Sequence, residues 1–143
     1  MNPYAAKTTV TVERTKTQIE ALLREFKADA VMMATNDARA MVVFTMTERN
    51  VKFILPLPQR DEYTGQWKRE QFEQATRTRW RALYLALRAK LEMAATGITT
   101  FEDEFLAHIV MPNGETVGEM TRSRIAQAYQ SGEVRPLLEG PRT

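Results

Sequence analysis

The sequence predicts an α+β fold: a small, mainly antiparallel sheet followed by a helical half that packs on it. The prediction starts from short β-branched runs with period-two alternation, all of which lie before residue 56. Helical periodicity then dominates residues 67–132. Between the two regimes stand Pro56 and Pro58, which cannot donate to a β-ladder and so end the sheet.

Taken in order, "TTVTV" at residues 8–12 reads as a first strand because β-branched side chains fit a pleated surface. Thr15-x-x-Gln18 reads as a capping box, with hydroxyl and amide satisfying the free N–H groups of a helix start. Ile19, Leu22, Leu23 and Phe26 then fall on one helical face. Strands are expected at residues 30–35, 40–47 and 51–55, joined by the turns "NDAR" and "ERN". The order is therefore β-α-β-β-β.

A long helix is expected over residues 67–96, closed by Gly97 in the left-handed conformation that L residues with a Cβ avoid. Thr99-x-x-Glu102 and Thr100-x-x-Asp103 open a second helix through "FEDEFLAHIV", and "PNG" breaks it. A competing reading makes "HIVMPNGETV" a hairpin around Asn113-Gly114. Thr116-x-x-Glu119 starts a last helix that ends at Gly132, and residues 133–143 form a tail whose Leu137 and Leu138 dock on the body while its end hangs loose. The predicted core comprises Ile19, Leu22, Leu23, Phe26, Val42, Phe44, Phe53, Trp80, Leu83, Leu87 and Phe105. One domain, residues 1–143, is expected, since this length buries a core without covalent staples.

Composition narrows the function classes. The chain is 43% hydrophobic and 27% charged, which is ordinary for a folded domain. It has no cysteine, which removes disulfide frameworks and thiolate metal sites and suits a reducing cytoplasm. The longest apolar run, "FILPLP", is too short to span a bilayer, and "MNPYAAKTTV" has no signal-peptide pattern. With a net charge of only +2, any site for a polyanion must come from local clustering.

Such a cluster lies in "QATRTRWRALYLALRAKLE", residues 74–92. At about 100° per residue, Arg77, Arg81, Tyr84 and Arg88 share a stripe about 60° wide. Phe72, Trp80, Leu83, Leu87 and Leu91 form the adjoining apolar face. Guanidinium forks bind phosphate or carboxylate through paired N–H groups, and Tyr84 adds a ring or a hydroxyl. The competing reading pairs the stripe with Glu70, Glu73 and Glu92, above all as Glu73–Arg77 at i, i+4, or leaves it solvated. Residues 59–70 set Tyr63 and Trp67 beside Arg60, Lys68 and Arg69, the mixture that stacking on exposed bases requires; Trp67 serves equally as an anchor for the helix start. Arg14, Lys16, Arg24 and Lys27 form a mixed-sign solvent face with Glu13, Glu20 and Glu25.

The only histidine, His108, stands one helical turn after Glu104, which reads as a surface ion pair. A metal site needs three or four convergent ligands, so no metal or cofactor is expected, and His108→Ala should cost little. No phosphate-binding glycine loop, nucleophile elbow or HExxH occurs, and no carboxylate pair stands out. A non-enzymatic protein is expected.

Several stretches carry a resemblance: "VERTKTQIEALLREFKADAV", "VKFILPLP", "RTRWRALYLALRAKLE" and above all "GITTFEDEFLAHIVMPNGETVGE". Over residues 12–132 the chain resembles a family of small accessory proteins of tailed phages and prophages. The resemblance brings no catalytic residues with it. It implies a phage-borne product in a bacterial cytoplasm that handles nucleic acid, binds a host enzyme, or disables a host defence by blocking a complex or sequestering a nucleotide signal. The expected partner is thus nucleic acid or a nucleotide, or else a host protein, with no membrane; a homo-oligomer is left open.

Overall fold

A computed structural model of the chain describes residues 5–138, and its elements run α1 (Val12–Glu25), β1 (Ala30–Thr35), β2 (Arg39–Met46), β3 (Arg49–Pro56), α2 (Lys68–Ala95), α3 (Phe101–Phe105) and α4 (Val117–Ser131). The fold is α+β as expected: the three strands form an antiparallel sheet in the order β1-β2-β3, with helices packed on one face.

The expected first strand at residues 8–12 does not form. The segment runs against α2, where the Gln74 amide donates to the carbonyls of Ala6 at 3.2 Å and Thr8 at 2.8 Å, and the Thr78 hydroxyl reaches Ala6 at 3.3 Å. Side chains thus satisfy the carbonyls that a ladder would otherwise take. Thr11 becomes the N-cap of α1, its hydroxyl accepting the Arg14 N–H at 3.2 Å. The helix therefore begins a turn before the expected capping box, and Thr15 is fully buried inside it. At the other end Lys27 takes φ 74 where glycine is usual, and the Ala28 N–H closes on the Leu23 carbonyl at 2.9 Å.

The sheet is a meander. Asn36 shapes the β1–β2 turn by accepting the N–H groups of Ala38 and Arg39, both at 2.9 Å. Thr47 and Glu48 (φ 48 and 62) make a two-residue turn between β2 and β3, a residue earlier than the expected "ERN". The pairs Val42–Phe53 and Phe44–Val51 lie on the covered face, while Met41–Ile54 and Val43–Lys52 lie on the open one.

α2 is the expected long helix, with Gly97 just beyond it at φ 81. Its Trp80, Leu83, Leu87 and Leu91 join Ile19, Leu22 and Leu23 of α1 and the covered sheet face in one core. Of the predicted core, Phe26 alone is only partly buried; Ala40, Met46, Val51, Leu91 and Ile109 belong to the core as well. Phe105 of α3 fills the centre, edge-on to Phe44 at 5.7 Å and to Phe53 at 6.0 Å.

The second predicted helix stops early, and residues beyond it form the hairpin of the competing reading. After α3 and a 3-10 turn at Leu106–His108, Ile109 extends to bridge Val51 of β3. Val110 bridges Thr116 across a turn in which Gly114 takes φ 88. Pairing with β3 thus captures β-branched residues that local periodicity assigned to a helix. Thr116 then caps α4, and Gly132 (φ 75) ends it, both as expected. Leu137 and Leu138 line a groove of about 960 Å³ with Leu106, Ile109, Met111 and Val117, half-exposed rather than docked deeply. The expected loose end falls on residues 139–143, outside the described residues.

His108 and Glu104 do not pair. The imidazole stacks on Phe53 with ring centroids 3.9 Å apart, while Glu104 approaches Lys90 at 3.9 Å. Among the described residues no helix is long and apolar enough to cross a membrane.

Candidate functional site: the arginine seam between two helices

Helices α1 and α2 run in the same direction, since Lys16 lies over Trp80, Gln18 meets Arg81, and Phe26 lies level with Tyr84–Glu92 across a shared groove. The arginine stripe follows this seam. Arg77 is part-buried and donates through Nη2 to the Gln74 side-chain oxygen at 2.6 Å, and Gln74 in turn holds the N-terminal segment. The Glu73–Arg77 pair of the competing reading is not made; Glu73 turns to Arg69 at 3.1 Å. The Arg77 Nε–H is buried and meets no acceptor among the described residues.

One turn further along α2, Arg81 donates to the side-chain oxygen of Gln18 on α1, and its guanidinium lies 4.4 Å from the Tyr84 ring centroid. Arg88 is the exception. It is half-exposed and bonded to Glu92 at 3.0 Å, and the Glu92 carboxylate, with Tyr84 beside it, holds its pKa above the ordinary value. Tyr84 and Arg88 line a groove of about 280 Å³ with Gln18, Leu22, Glu25 and Phe26.

The chemistry differs along the seam. A glutamine oxygen occupies one of the five N–H donors of a guanidinium and leaves its full charge, whereas a carboxylate cancels it. Arg77 and Arg81 are therefore charges fixed in place by neutral partners. Arg88 is neutralised by Glu92.

The remaining expected residues do not converge here. Tyr63 packs edge-on against Phe72 at 6.1 Å, and Arg60 lies over that ring at 4.5 Å. Lys68 and Arg69 are exposed at the start of α2, beside Trp67, which is 61% exposed and so anchors nothing in the core. At 1.5 Å per residue, Trp67 stands about 15 Å along the axis from Arg77. The geometry adds Gln18 and Gln74, which position the two arginines. Gln74 is within reach of the sequence as an i, i+3 neighbour of Arg77, whereas the sequence presents Gln18 only as a cap.

Among the described residues no three histidine, cysteine or acidic side chains gather as a metal could require. Comparison with protein-family models, with curated proteins and with solved structures gives no match.

Proposed function

We propose that the protein is a non-enzymatic, phage-type accessory protein of the bacterial cytoplasm that binds a phosphate-rich ligand, nucleic acid first among them, along the α1–α2 seam. The observation behind this reading is that Arg77 and Arg81, one turn apart on α2, are held by Gln74 and Gln18, and among the described residues no carboxylate is bonded to either. Two pre-positioned guanidinium groups and the Tyr84 ring present what a phosphodiester and a base need: paired donors and a stacking surface. Trp67 and Lys68 at the exposed start of α2 extend the same helix beyond the seam for a longer strand.

The test is binding of a fluorescent oligonucleotide by wild type and by Arg77→Gln/Arg81→Gln. Losing a charge-assisted contact costs about 1.5–3 kcal/mol, so the double variant should bind at least about a hundredfold more weakly while keeping its circular dichroism. Lysine at both positions should rescue only part, because an ammonium lacks the planar fork. Affinity should also fall by about 0.9 log unit per contacted phosphate for each log unit of salt on duplex DNA. Binding that is indifferent to both variants would remove the seam from consideration.

A second reading has an observation of its own. α4 buries only Thr121 and leaves Ile125 exposed, Tyr129 89% exposed and, just after the helix, Val134 87% exposed. That apolar surface favours a protein partner, such as a host or defence protein that the chain would block. A partner captured through α4 should be lost on Tyr129→Asp and kept in the arginine variant.

A further inference from the structure

The two edges of the sheet are finished differently. On β3, Ile109 bridges Val51, and the Val110 N–H donates to the Asn50 carbonyl at 2.8 Å, so that edge is partly covered. On β1 no such cover exists: among the described residues, no hydrogen bond reaches residues 30–35 from outside the β1–β2 ladder. Edge strands that stay single carry a lysine, a proline or a bulge that spoils pairing. β1, "AVMMAT", has no charge and no proline, and its six pairs with β2 run in unbroken register. Its open-face residue Met32 is 54% exposed, and Ala34, Met41, Val43 and Ile54 continue that apolar face.

We propose that β1 pairs antiparallel with β1 of a second copy of this chain, with Met32 on the two-fold axis, joining two three-stranded sheets into one of six strands. A two-fold perpendicular to a sheet pairs a residue with itself at the axis, which keeps matching faces on the same side. With Met32 at the axis, Ala30 lies opposite Ala34 and Val31 opposite Met33, all uncharged. In the flanking turns, Lys27 of one copy then lies at the same end as Asp37 of the other, and opposite charges meet. Moving the axis to Met33 sets Asp29 against Asp37, two like charges, and moving it to Val31 shortens the overlap. The edge is thus self-complementary in one register.

Sedimentation velocity over a concentration series should show a reversible dimer. Met32→Lys brings two ammonium groups together at the axis and should raise the dissociation constant at least about tenfold. Its exposure in the monomer leaves the fold intact, which circular dichroism would check. Because the chain has no cysteine, Met32→Cys reports the register directly. Cα atoms paired across a ladder lie about 4.5–5.5 Å apart, within disulfide reach, so oxidation should link the copies. Ala34→Cys should not link, since its counterpart lies about 13 Å along the strand. A monomer at every concentration, or a dimer that Met32→Lys leaves unweakened, would overturn the pairing. Cross-linking at Ala34→Cys and not at Met32→Cys would overturn the register, and should Met32→Lys disturb the monomer, the cross-link decides alone.

Discussion

His108 lies flat on Phe53 in the turn after α3, and burial there disfavours its charged form first, with Lys90 adding to the effect and a backbone contact at Lys52 opposing it. Its pKa in the folded protein is therefore lowered from the ordinary 6.5. The unfolded chain binds the proton more readily, so acid favours unfolding. The contribution of His108 is complete above about pH 6.5 and is lost as pH falls from there through the lower folded value. Urea midpoints should accordingly decline as pH falls below that point in wild type and decline less in His108→Gln; parallel profiles would rule out this histidine as the cause. The expectation that His108→Ala costs little rests on an ion pair with Glu104, which requires a helix that continues to residue 108. The helix ends at Phe105, and the truncation removes a ring stack instead, at a cost of about 1 kcal/mol.

Where α1 begins is a question for two threonines. Thr11 caps the helix through its hydroxyl, so Thr11→Ala should lower stability by about 1 kcal/mol. Thr15 is fully buried and its hydroxyl has no partner among the described residues, so Thr15→Val removes a desolvated polar group and should raise stability by about 1 kcal/mol. Opposite signs in urea denaturation would bear this out; destabilisation by Thr15→Val equal to that of Thr11→Ala would mean that the helix starts at Thr15 after all. The same contrast marks what is legible in the sequence. α2, the face Ile19–Leu22–Leu23 and the three paired strands emerge from periodicity, because each pattern extends long enough to distinguish period 3.6 from period 2. Residues 8–12 have the composition of a strand, yet Gln74 and Thr78, far away in the chain, take the carbonyls of Thr8 and of Ala6 just before it. Residues 106–111 continue a helical pattern until Val51, also distant, draws Ile109 into a bridge. Of the site, the wheel angle of the arginines is legible, but the Gln18 that holds Arg81 lies 63 residues from it. Local spacing cannot find such a partner.

At the scale of the whole molecule the helices are not equal. α1, α2, α3 and the covered sheet face share one core, whereas α4 meets the rest chiefly at the short turn Leu106–His108. A helix with one buried residue draws little of its stability from packing, and isolated helices of about 12–15 residues are marginal in water. α4 should therefore open independently of the body, with amide exchange faster than in α2 and insensitive to low denaturant. Its attachment turns on Gly118: a Cβ there would lie 3.0 Å from the Ala107 carbonyl oxygen, a backbone atom that would have to give way to make room. Gly118→Val adds that Cβ and two methyls, overpacking that costs about 1–3 kcal/mol. Because only α4 relies on the contact, the penalty should appear as about five- to a hundredfold faster exchange across Val117–Ser131, with protection in α2 unchanged. Equal loss of protection in both helices would show that α4 folds as one cooperative unit with the core. No change in either would show that the turn yields around the added side chain.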